Sequence, residues 1–544
     1  MITKNTRTAN DTIVHTDVID DDIKPGSKKI RQFSVVKPVH HYSSSRIRKN
    51  MWPYLLGRGM AAIGSFAVAI LLVRTLPVET YGVYTALSGL LLTLGILSDG
   101  GLDRIIPKFI PLLRTANAEA QLSSLCWKLL GLRLIFISAV LIPLLIMPEK
   151  VMSLLSIQHY GDVIWAFTAY TLFSIASVHL SRTLQALLMQ GAVTTGMAIE
   201  WFTKLAALLI VLFDLHTLPL LHIIWIHAIT IGLGALYMLV RLKLHLNEFT
   251  DAADHSVKLD VPRARLWKFG WHNYVPNLLG MALSPGTTKL VSAYFLGITQ
   301  TAALGFAYSI TGMVRQYLPA ILMLGLIEPA FMSRYTERKD FSILNELGSI
   351  VLKINLFVLT PITVWLATSG TPFIDLITGG KYLDTVWLIS GLLVFLMLSS
   401  HFLVLQLICN AAEESWLLFK CNAWSALVGL IQIVGIIMYG LPGFLAGMLI
   451  AGWFENHYLV LLLRKRHHPY QPDWQGIRRI IILAVLSGLL GSLMLRWLPN
   501  LAGSLLSAVI TELTFLSLAY LWKPFTGSER NLLNRFMGRK LFVW

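Results

Sequence analysis

The sequence predicts an all-α polytopic membrane protein with about 14 transmembrane helices, arranged as two parallel six-helix repeats plus two extra C-terminal helices. Three observations predict this class: an apolar composition, a series of long apolar runs, and an asymmetric distribution of Lys and Arg. Of the 544 residues, 55% are hydrophobic and only 14% are charged, whereas a soluble domain carries about a quarter charged residues. The length accommodates a dozen or more spans of about 20 residues each.

Fourteen apolar runs follow one another along the chain. They lie near residues 52–73, 82–103, 124–147, 163–190, 192–213, 218–240, 270–294, 302–327, 347–368, 384–408, 416–439, 442–463, 477–497 and 501–522. Residues 1–50 are polar and lack the apolar core of a signal peptide, so we expect a disordered cytoplasmic tail there. We expect an N-terminal lobe over residues 51–240, a cytoplasmic linker over 241–268, a C-terminal lobe over 269–465, and two additional helices with a cytoplasmic C-terminus over 466–544.

Lys and Arg are concentrated in alternate connecting segments. The two termini and every second loop hold 32 of the 45 Lys and Arg residues, and the opposite loops hold only Arg74, Lys150, Lys381 and Arg496. Loops rich in Lys and Arg stay on the cytoplasmic side of a membrane. Both termini are therefore predicted to be cytoplasmic. The net charge of +16 reflects this topology, and we expect no nucleic-acid partner.

The chain contains an internal repeat. NMWPYLLG at 50–57 returns 223 residues later as NYVPNLLG at 273–280, and VMSLLSIQHYGDVIW at 151–165 aligns with FIDLITGGKYLDTVW at 373–387. In the same register, Gly82 corresponds to Gly305. Because each unit has six spans, both enter the membrane from the same side. The repeats are then related by a pseudo-two-fold axis along the membrane normal.

Three segments resemble one family of transporters. LVRTLPVETYGVY at 72–84, GILSDGGL at 95–102 and FIDLITGGKY at 373–382 are similar to the Wzx-type lipid-linked oligosaccharide flippases, the polysaccharide-exporting branch of the MOP (multidrug/oligosaccharidyl-lipid/polysaccharide) exporter superfamily. The resemblance implies two six-helix lobes around a central cavity. It also implies movement of an undecaprenyl-pyrophosphate-linked oligosaccharide from the inner to the outer leaflet of the bacterial inner membrane, by alternating access, for synthesis of a surface polysaccharide such as O-antigen or exopolysaccharide.

The resemblance further implies the partners of the chain. These are the lipid-linked glycan, membrane lipids, and a polysaccharide polymerase and chain-length regulator. We expect no enzyme activity, no catalytic residue, no metal and no bound cofactor. The chain lacks a Gly-rich phosphate loop, so nucleotide hydrolysis is not expected. The sequence does not decide whether the coupling ion is a proton or a sodium ion.

Charged side chains inside the spans are the first candidates for function, since a charge at membrane depth is costly. Arg58, Lys289 and Arg315 lie on spans 1, 7 and 8, and each corresponds to an apolar residue in the other repeat. A pyrophosphate needs fixed positive charge, so we expect these three residues and Arg182 to bind the substrate. The structural alternatives are snorkelling of Lys289 and an ion pair of Arg315 with Glu328.

Other charged residues in the spans have a structural interpretation. Lys128, Lys353 and Lys420 lie within a turn or two of the predicted cytoplasmic end, where their side chains are expected to snorkel. Asp99 and Asp103 close span 2 at its cytoplasmic end and are interpreted as structural, as part of an inner gate.

Span 7 combines a polar stripe with a helix break. Asn273, Asn277 and Ser284 lie on one helical stripe and are expected to line the substrate cavity. Pro285 and Gly286 then interrupt the span and are expected to form a hinge. Interrupted helices at membrane depth line transport cavities, while close packing through small residues is the structural alternative.

Two deep carboxylates, Glu200 and Glu455, are the candidates for ion coupling. Glu200 precedes Lys204 by one helical turn, so a mutually neutralising pair is the alternative for that residue.

Three other functions stay open. An ion-coupled drug or cation antiporter of the same superfamily would need cavity carboxylates, but the deep charges are mostly basic. A peptidoglycan-precursor flippase would carry several arginines in spans 1 and 2, where only Arg58 occurs. A membrane glycan polymerase, the enzyme alternative, would need a large outer loop, and the outer loops are short.

From the sequence alone, Arg58→Ala and Arg315→Ala are expected to abolish glycan export without loss of the protein from the membrane. The measurement is complementation of a strain that lacks the flippase, with a membrane immunoblot as the control for protein level. Full complementation by both variants contradicts the assignment of these arginines to the cavity.

Overall fold

A computed structural model describes most of the chain. The described ranges are 44–116, 118–250, 262–281, 284–322, 340–412, 414–537 and 542–544. Every regular element in these ranges is a helix. The predicted tail lies outside the described residues up to residue 43, and residues 44–50 already belong to the first helix.

The first lobe is built from eight α-helices and one 3₁₀ turn within the described part of the chain. They are α1 Ser44–Thr75, α2 Val78–Leu97, α3 Leu102–Thr115, α4 Glu119–Ile146, α5 Pro148–Leu154, a 3₁₀ turn at Gln158–Val163, α6 Ile164–Ala186, α7 Gln190–Leu215 and α8 Leu220–Thr250. Helix α8 packs against α6 and α7, α1 packs against α7, and α4 packs against α6.

The second lobe repeats this arrangement and is followed by the extra helices. Its described elements are α9 Arg263–Gly280, α10 Pro285–Leu296, α11 Ile298–Gln316, α12 Pro319–Leu322, α13 Phe341–Ser369, α14 Thr371–Thr378, a 3₁₀ turn at Leu383–Thr385, α15 Val386–Ala411 and α16 Ser415–Lys465; then come α17 Trp474–Ser492, α18 Met494–Trp497, α19 Leu501–Trp522 and α20 Gly527–Met537. Helices α17 and α19 pack on each other and on α13.

The helices have the length and apolarity of membrane spans. In the described ranges, ten are long and apolar enough to cross a membrane, and Gly59–Thr75 is a shorter apolar stretch. Helix α16 contains two predicted spans, because Gly440 breaks it with φ 64°, a left-handed conformation that favours glycine. The structure therefore confirms a helical, multi-pass membrane protein, while the count of fourteen stays a prediction.

The internal repeat is visible in the backbone. In each lobe a long helix is followed by a short helix, a 3₁₀ turn and another long helix: α4, α5 and α6 in the first lobe, and α13, α14 and α15 in the second. The aligned segments at 151–165 and 373–387 coincide with this pair of connections. The sequence repeat thus corresponds to a repeat of structure.

The connecting segments are more helical than the apolar runs predict. Helix α3 fills the loop after span 2, with buried apolar side chains at helical spacing from Leu102 to Leu113. Helix α8 continues to Thr250 and α9 begins at Arg263, so both extend into the predicted linker. Helix α3 is amphipathic, so it lacks the continuous apolar run by which a span is recognised in the sequence.

Lys353 does not snorkel, which corrects the prediction made for it. Its side chain is fully buried, and its Nζ pairs with Asp473 and with Glu529 Oε2, the latter at 2.7 Å. The Nζ also donates to the carbonyl oxygen of Pro524 at 3.1 Å. These partners lie more than a hundred residues away in the chain, so helical spacing could not reveal them. The cluster attaches the C-terminal helices to α13.

The pKa of Asp473 reflects this cluster. Burial alone raises it, but hydrogen bonds from Lys353 and from the amides of Gly476 and Gln475 outweigh burial, so the pKa of Asp473 lies below its ordinary value. A carboxyl with a lowered folded-state pKa stabilises the fold above its unfolded-state pKa, and this contribution is lost as pH falls through the folded-state value.

We expect Lys353→Met to lower the free energy of unfolding by about 3–5 kcal/mol, because two carboxylates would then lack their buried counter-charge. Thermal unfolding of the purified protein in detergent measures the effect. Lys128→Met, at an exposed lysine, is the matched control. The difference between wild type and Lys353→Met should shrink at acidic pH, where Asp473 is protonated; an equal difference at every pH contradicts the role given to the pair.

Candidate functional site

The two lobes meet closely along α2. We call the side on which α1 begins the inner side and the opposite side the outer side. Towards the outer end of α2, a Cβ on Gly82 would overlap the carbonyl oxygen of Ile298, and a Cβ on Gly305 would overlap the side chain of Thr85. Gly82 and Gly305 are repeat counterparts. Each lobe therefore contributes the same glycine to one contact.

The contact continues towards the middle of α2. A Cβ on Gly89 would lie 3.0 Å from the carbonyl oxygen of Gly286, and the reverse distance is also 3.0 Å. One turn further along α10, Lys289 donates to Ser88 Oγ at 2.9 Å. Lys289 therefore lies in the interface between α2 and α10, on the outer side of the cavity described below.

A lysine joins the lobes at their outer ends. Lys381 Nζ donates to the carbonyl oxygens of Arg74 at 2.9 Å and Leu76 at 2.7 Å, which are among the groups left without helical partners at the end of α1. The ring of Tyr382 packs on that of Tyr81, with centroids 5.9 Å apart. Burial lowers the pKa of Lys381. We call these contacts, together with those along α2, the outer contact.

On the inner side, the turn between α2 and α3 packs on α9. Gly101 has φ 82°, and a Cβ there would overlap the carbonyl of Gly270. Tyr274 Oη donates to the carbonyl oxygen of Leu97 at 2.7 Å. The inner half of the broken span is thus held against the first lobe.

A cavity of about 740 Å³ lies between the lobes on the inner side of the outer contact. We call it the central cavity. Its wall combines apolar and polar side chains from both lobes: Leu91, Leu92, Gly95, Ile96, Asp99, Asp103, Arg104, Arg133, Ser174, Ile175, Val178 and Arg182 from the first, and Asn277, Gly280, Met281, Phe395, Phe402, Asn422, Gln432, Ala451, Gly452 and Glu455 from the second.

Four charged residues on the first-lobe wall form two pairs. Arg133 Nη1 lies 3.3 Å from Asp99 Oδ1 and donates to the carbonyl oxygen of Ser98 at 2.8 Å. Asp103 in turn pairs with Arg182. The two aspartates are therefore structural, as predicted, and they hold two arginines at the cavity wall.

Arg104 is different from its neighbours. Its side chain is exposed and lines the central cavity. Among the described residues it has no hydrogen-bond or ion-pair partner, whereas Arg133 and Arg182 each face an aspartate. Arg104 is therefore a fixed positive charge available to a ligand.

A second cavity of about 790 Å³ adjoins the first between α9, α15 and α16. The two cavities share Arg104, Asn277 and Asn422. We call the second cavity the vestibule. Because it is lined by the beginning of α16 and the end of α15, it lies towards the inner side.

The structure brings some of the predicted site residues together. Asn277, Arg182 and Glu455 line the central cavity, and Asn273 lines the vestibule. Ser284 caps α10 by accepting a hydrogen bond from the amide of Thr287 at 3.3 Å. Helix α9 ends four residues before it, so the span is interrupted where the sequence predicts a break.

Other predicted residues lie elsewhere. Pro285 is exposed, at the first position of α10. Arg315 is exposed in the last turn of α11 and lines neither cavity. Glu200 pairs with Lys204 at 2.8 Å, the neutralising pair considered from the sequence. The side chain of Arg58 and the whole of Glu328 lie outside the described residues.

Arg104, Asn422 and Gln432 line the central cavity, although no sequence pattern assigns them to it. Arg104 directly follows the two aspartates at the end of span 2, and an isolated amide in a long apolar run carries no pattern of its own. Within the described ranges, no group of three or more His, Cys, Asp or Glu side chains could hold a metal ion.

The fold and the cavity define a multi-pass membrane protein built from two repeated helical bundles around a central cavity. The chain belongs to the polysaccharide biosynthesis protein family, whose model matches residues 47–333. Among curated proteins, none matches the sequence.

Solved structures show the same fold. The lipid II flippase MurJ in an inward closed conformation has a TM-score of 0.62 at 14% identity, covering 89% of this chain and 99% of that one. An inward-facing multidrug resistance MATE family transporter of the MOP superfamily has a TM-score of 0.60 at 14% identity, covering 75% and 94%. The MATE multidrug transporter DinF-BH has a TM-score of 0.54 at 11% identity, covering 79% and 97%.

The Asp99–Arg133 pair can be tested by a double-mutant cycle. We expect Arg133→Met to destabilise the protein more than Asp99→Asn, because Arg133 also satisfies the carbonyl of Ser98. The coupling energy between the two changes should be about 1–3 kcal/mol, measured from detergent unfolding of the four proteins. Additive effects would mean that the two side chains act independently.

Proposed function

We propose that the chain is a flippase that moves an undecaprenyl-pyrophosphate-linked oligosaccharide from the inner to the outer leaflet of the bacterial inner membrane by alternating access. It lies there with both termini in the cytoplasm and serves the synthesis of a surface polysaccharide such as O-antigen or exopolysaccharide. The glycan delivered to the outer leaflet would pass to a polymerase and chain-length regulator. The family and the transporter fold support the class of this function.

The observation that carries the proposal is the position of Arg104. It is a guanidinium without a partner among the described residues, at the junction of two cavities, and guanidinium groups bind phosphate through paired hydrogen bonds. Asn277 and Asn422 lie at the same junction and add amide donors. A pyrophosphate at this point would leave both cavities free for the rest of the substrate.

The remaining candidates take roles around this point. Arg182 borders the same cavity and would become available when its pair with Asp103 opens. Lys289 would act on the outer side, once the outer contact separates. Arg58 and Arg315 stay candidates for phosphate contacts in a conformation other than this one.

The interrupted span supplies the flexible point of the mechanism. Pro285 and Gly286 begin α10 directly after the break, and we assign the hinge to them. The outer contact closes the outer side while the cavities lie on the inner side, so this conformation corresponds to loading from the cytoplasm. The opposite conformation, in which the outer contact is open and the inner side is closed, would release the lipid-linked glycan on the outer side.

A drug or cation antiporter coupled to protons or sodium is the second candidate function. Glu455 favours it, because this carboxylate borders the central cavity without an ion-pair partner among the described residues. Glu200, by contrast, is neutralised by Lys204. In the flippase, Glu455 would be the coupling carboxylate.

We expect Arg104→Ala to reduce transport of the lipid-linked glycan by about tenfold to a hundredfold, the effect of losing a charge-assisted hydrogen bond. Arg104→Lys should retain part of the activity, because it keeps the charge and loses the paired geometry. The assay uses purified protein in proteoliposomes loaded with undecaprenyl-pyrophosphate-linked oligosaccharide. Transport is measured as the amount of glycan in the outer leaflet, which a membrane-impermeant periodate reagent oxidises.

Arg315→Ala is measured in the same assay as the test of the alternative site, since this arginine is also exposed but lines neither cavity. Wild-type transport by Arg104→Ala contradicts the phosphate site. Loss of glycan transport in Arg315→Ala, with normal transport in Arg104→Ala, would indicate that Arg315, the residue predicted from the sequence, binds the phosphate. Efflux of cationic dyes that depends on Glu455, without any movement of glycan, would establish the antiporter instead.

A further inference from the structure

The vestibule has a wall composition unlike that of the central cavity. Its charged contribution, Arg104, lies at the junction, and much of the remaining wall is formed by amide and aromatic side chains. A site for an inorganic ion would concentrate charge. A site for a lipid tail would exclude amides, since an unpaired amide in contact with hydrocarbon is costly. This wall fits a ligand that is uncharged, rich in hydroxyl groups and partly apolar.

The amides are free to bind a ligand. Gln406 and Asn410 are one helical turn apart on α15, so they lie on the same face, and Asn422 faces the vestibule from α16. None of these three side-chain amides makes a hydrogen bond to another protein group in the described part of the chain. Each amide offers two N–H donors and one acceptor oxygen, the combination that sugar hydroxyls, which both donate and accept, require.

The aromatic side chains present flat faces to the same space. On α16, the rings of Trp416 and Phe419 are stacked, with centroids 4.7 Å apart and an interplanar angle of 11°. Trp271, from α9, lines the vestibule as well. Trp416 is 55% exposed and Trp271 is 59% exposed, so neither ring is a core residue. The C–H face of a pyranose ring packs well on such a surface.

We propose that the vestibule is the glycan-binding subsite, in which the tryptophan faces support sugar rings and the amides of Gln406, Asn410 and Asn422 bind their hydroxyl groups. The assignment rests on the proposed flippase function and adds to it the part of the substrate that each cavity takes. With the pyrophosphate at Arg104, the adjacent sugars extend towards the inner side.

Tryptophans near a membrane surface also serve as anchors in the lipid headgroup layer. Trp424 provides the comparison, because it lies two turns beyond Trp416 on the same helix, is 51% exposed and lines neither cavity. An anchoring role of Trp416 would affect the binding of lipids with and without a glycan alike. A glycan site distinguishes them.

The test measures binding of two lipids to the full-length protein in nanodiscs. One is undecaprenyl pyrophosphate, and the other is the undecaprenyl-pyrophosphate-linked oligosaccharide extracted from cells that lack this protein. We expect Trp416→Ala and Asn410→Ala each to weaken binding of the glycan-bearing lipid by about tenfold, or 1.4 kcal/mol, and to leave undecaprenyl pyrophosphate binding unchanged. Trp424→Ala should bind both lipids like wild type.

The outcomes separate the inference from the proposed function. If wild type binds neither lipid, both are overturned. If it binds both lipids and the two vestibule variants bind the glycan-bearing lipid normally, only the glycan subsite is overturned. The subsite is also overturned if Trp416→Ala and Trp424→Ala weaken both lipids equally, which is the result for headgroup anchors. Asn410→Ala keeps the test decisive where Trp416→Ala fails to fold.

Discussion

The close approach of α2 to α10 and α11 is the contact on which the rest of the architecture depends. Gly82, Gly89, Gly286 and Gly305 let the backbones approach until one helix touches the carbonyl groups of the next. In a membrane, where apolar side chains gain little from leaving lipid, such backbone contact is a main source of helix association. It closes one side of the molecule and leaves the cavities on the other.

Charge inside this protein is handled in two distinct ways. Lys353, Arg133 and Lys204 are buried and paired with carboxylates, which is how a low-dielectric interior tolerates ions. Arg104 is the contrasting case, since it faces a cavity unpaired among the described residues. The paired groups therefore belong to the fold, and the unpaired one is the group to which a ligand can contribute its own charge.

The fold could be predicted from the sequence because it depends on long-range periodic signals. Apolar runs, the bias of Lys and Arg and the repeat of Asn50–Gly57 at Asn273–Gly280 each persist over many residues. The break before Pro285 could also be predicted from the sequence, since proline and glycine interrupt a helix at their own positions. Helix α3 was missed because an amphipathic helix carries no continuous apolar run.

The site was only partly predictable, and the reason is physical. Depth in the membrane identifies a costly charge, but the partner that offsets the cost comes from another helix. The sequence therefore misleads in two ways: it hides the partner of a buried charge, and it hides the cavity that an unpaired charge faces. Lys353 is paired with carboxylates that its own helix does not reveal, and Arg104 faces a cavity although its sequence neighbours indicate a helix end. Asn277 and Arg182 line the central cavity, and a polar stripe and a deep charge make these two residues visible along their own helices.

The interrupted span has a consequence for how the protein can move. Helix α10 is held against α2 by the outer contact, while α9, beyond the break, contacts the α2–α3 turn and α16. Both halves also pack on α16, but α10 packs mainly on α2 and α11 whereas α9 packs mainly on α16 and α3, and only a few residues join the two halves. If the break acts as the proposed hinge, α9 would move while α10 keeps the outer side shut. The return of α9 over the cavities would then enclose a bulky amphiphile before any path across the membrane opens.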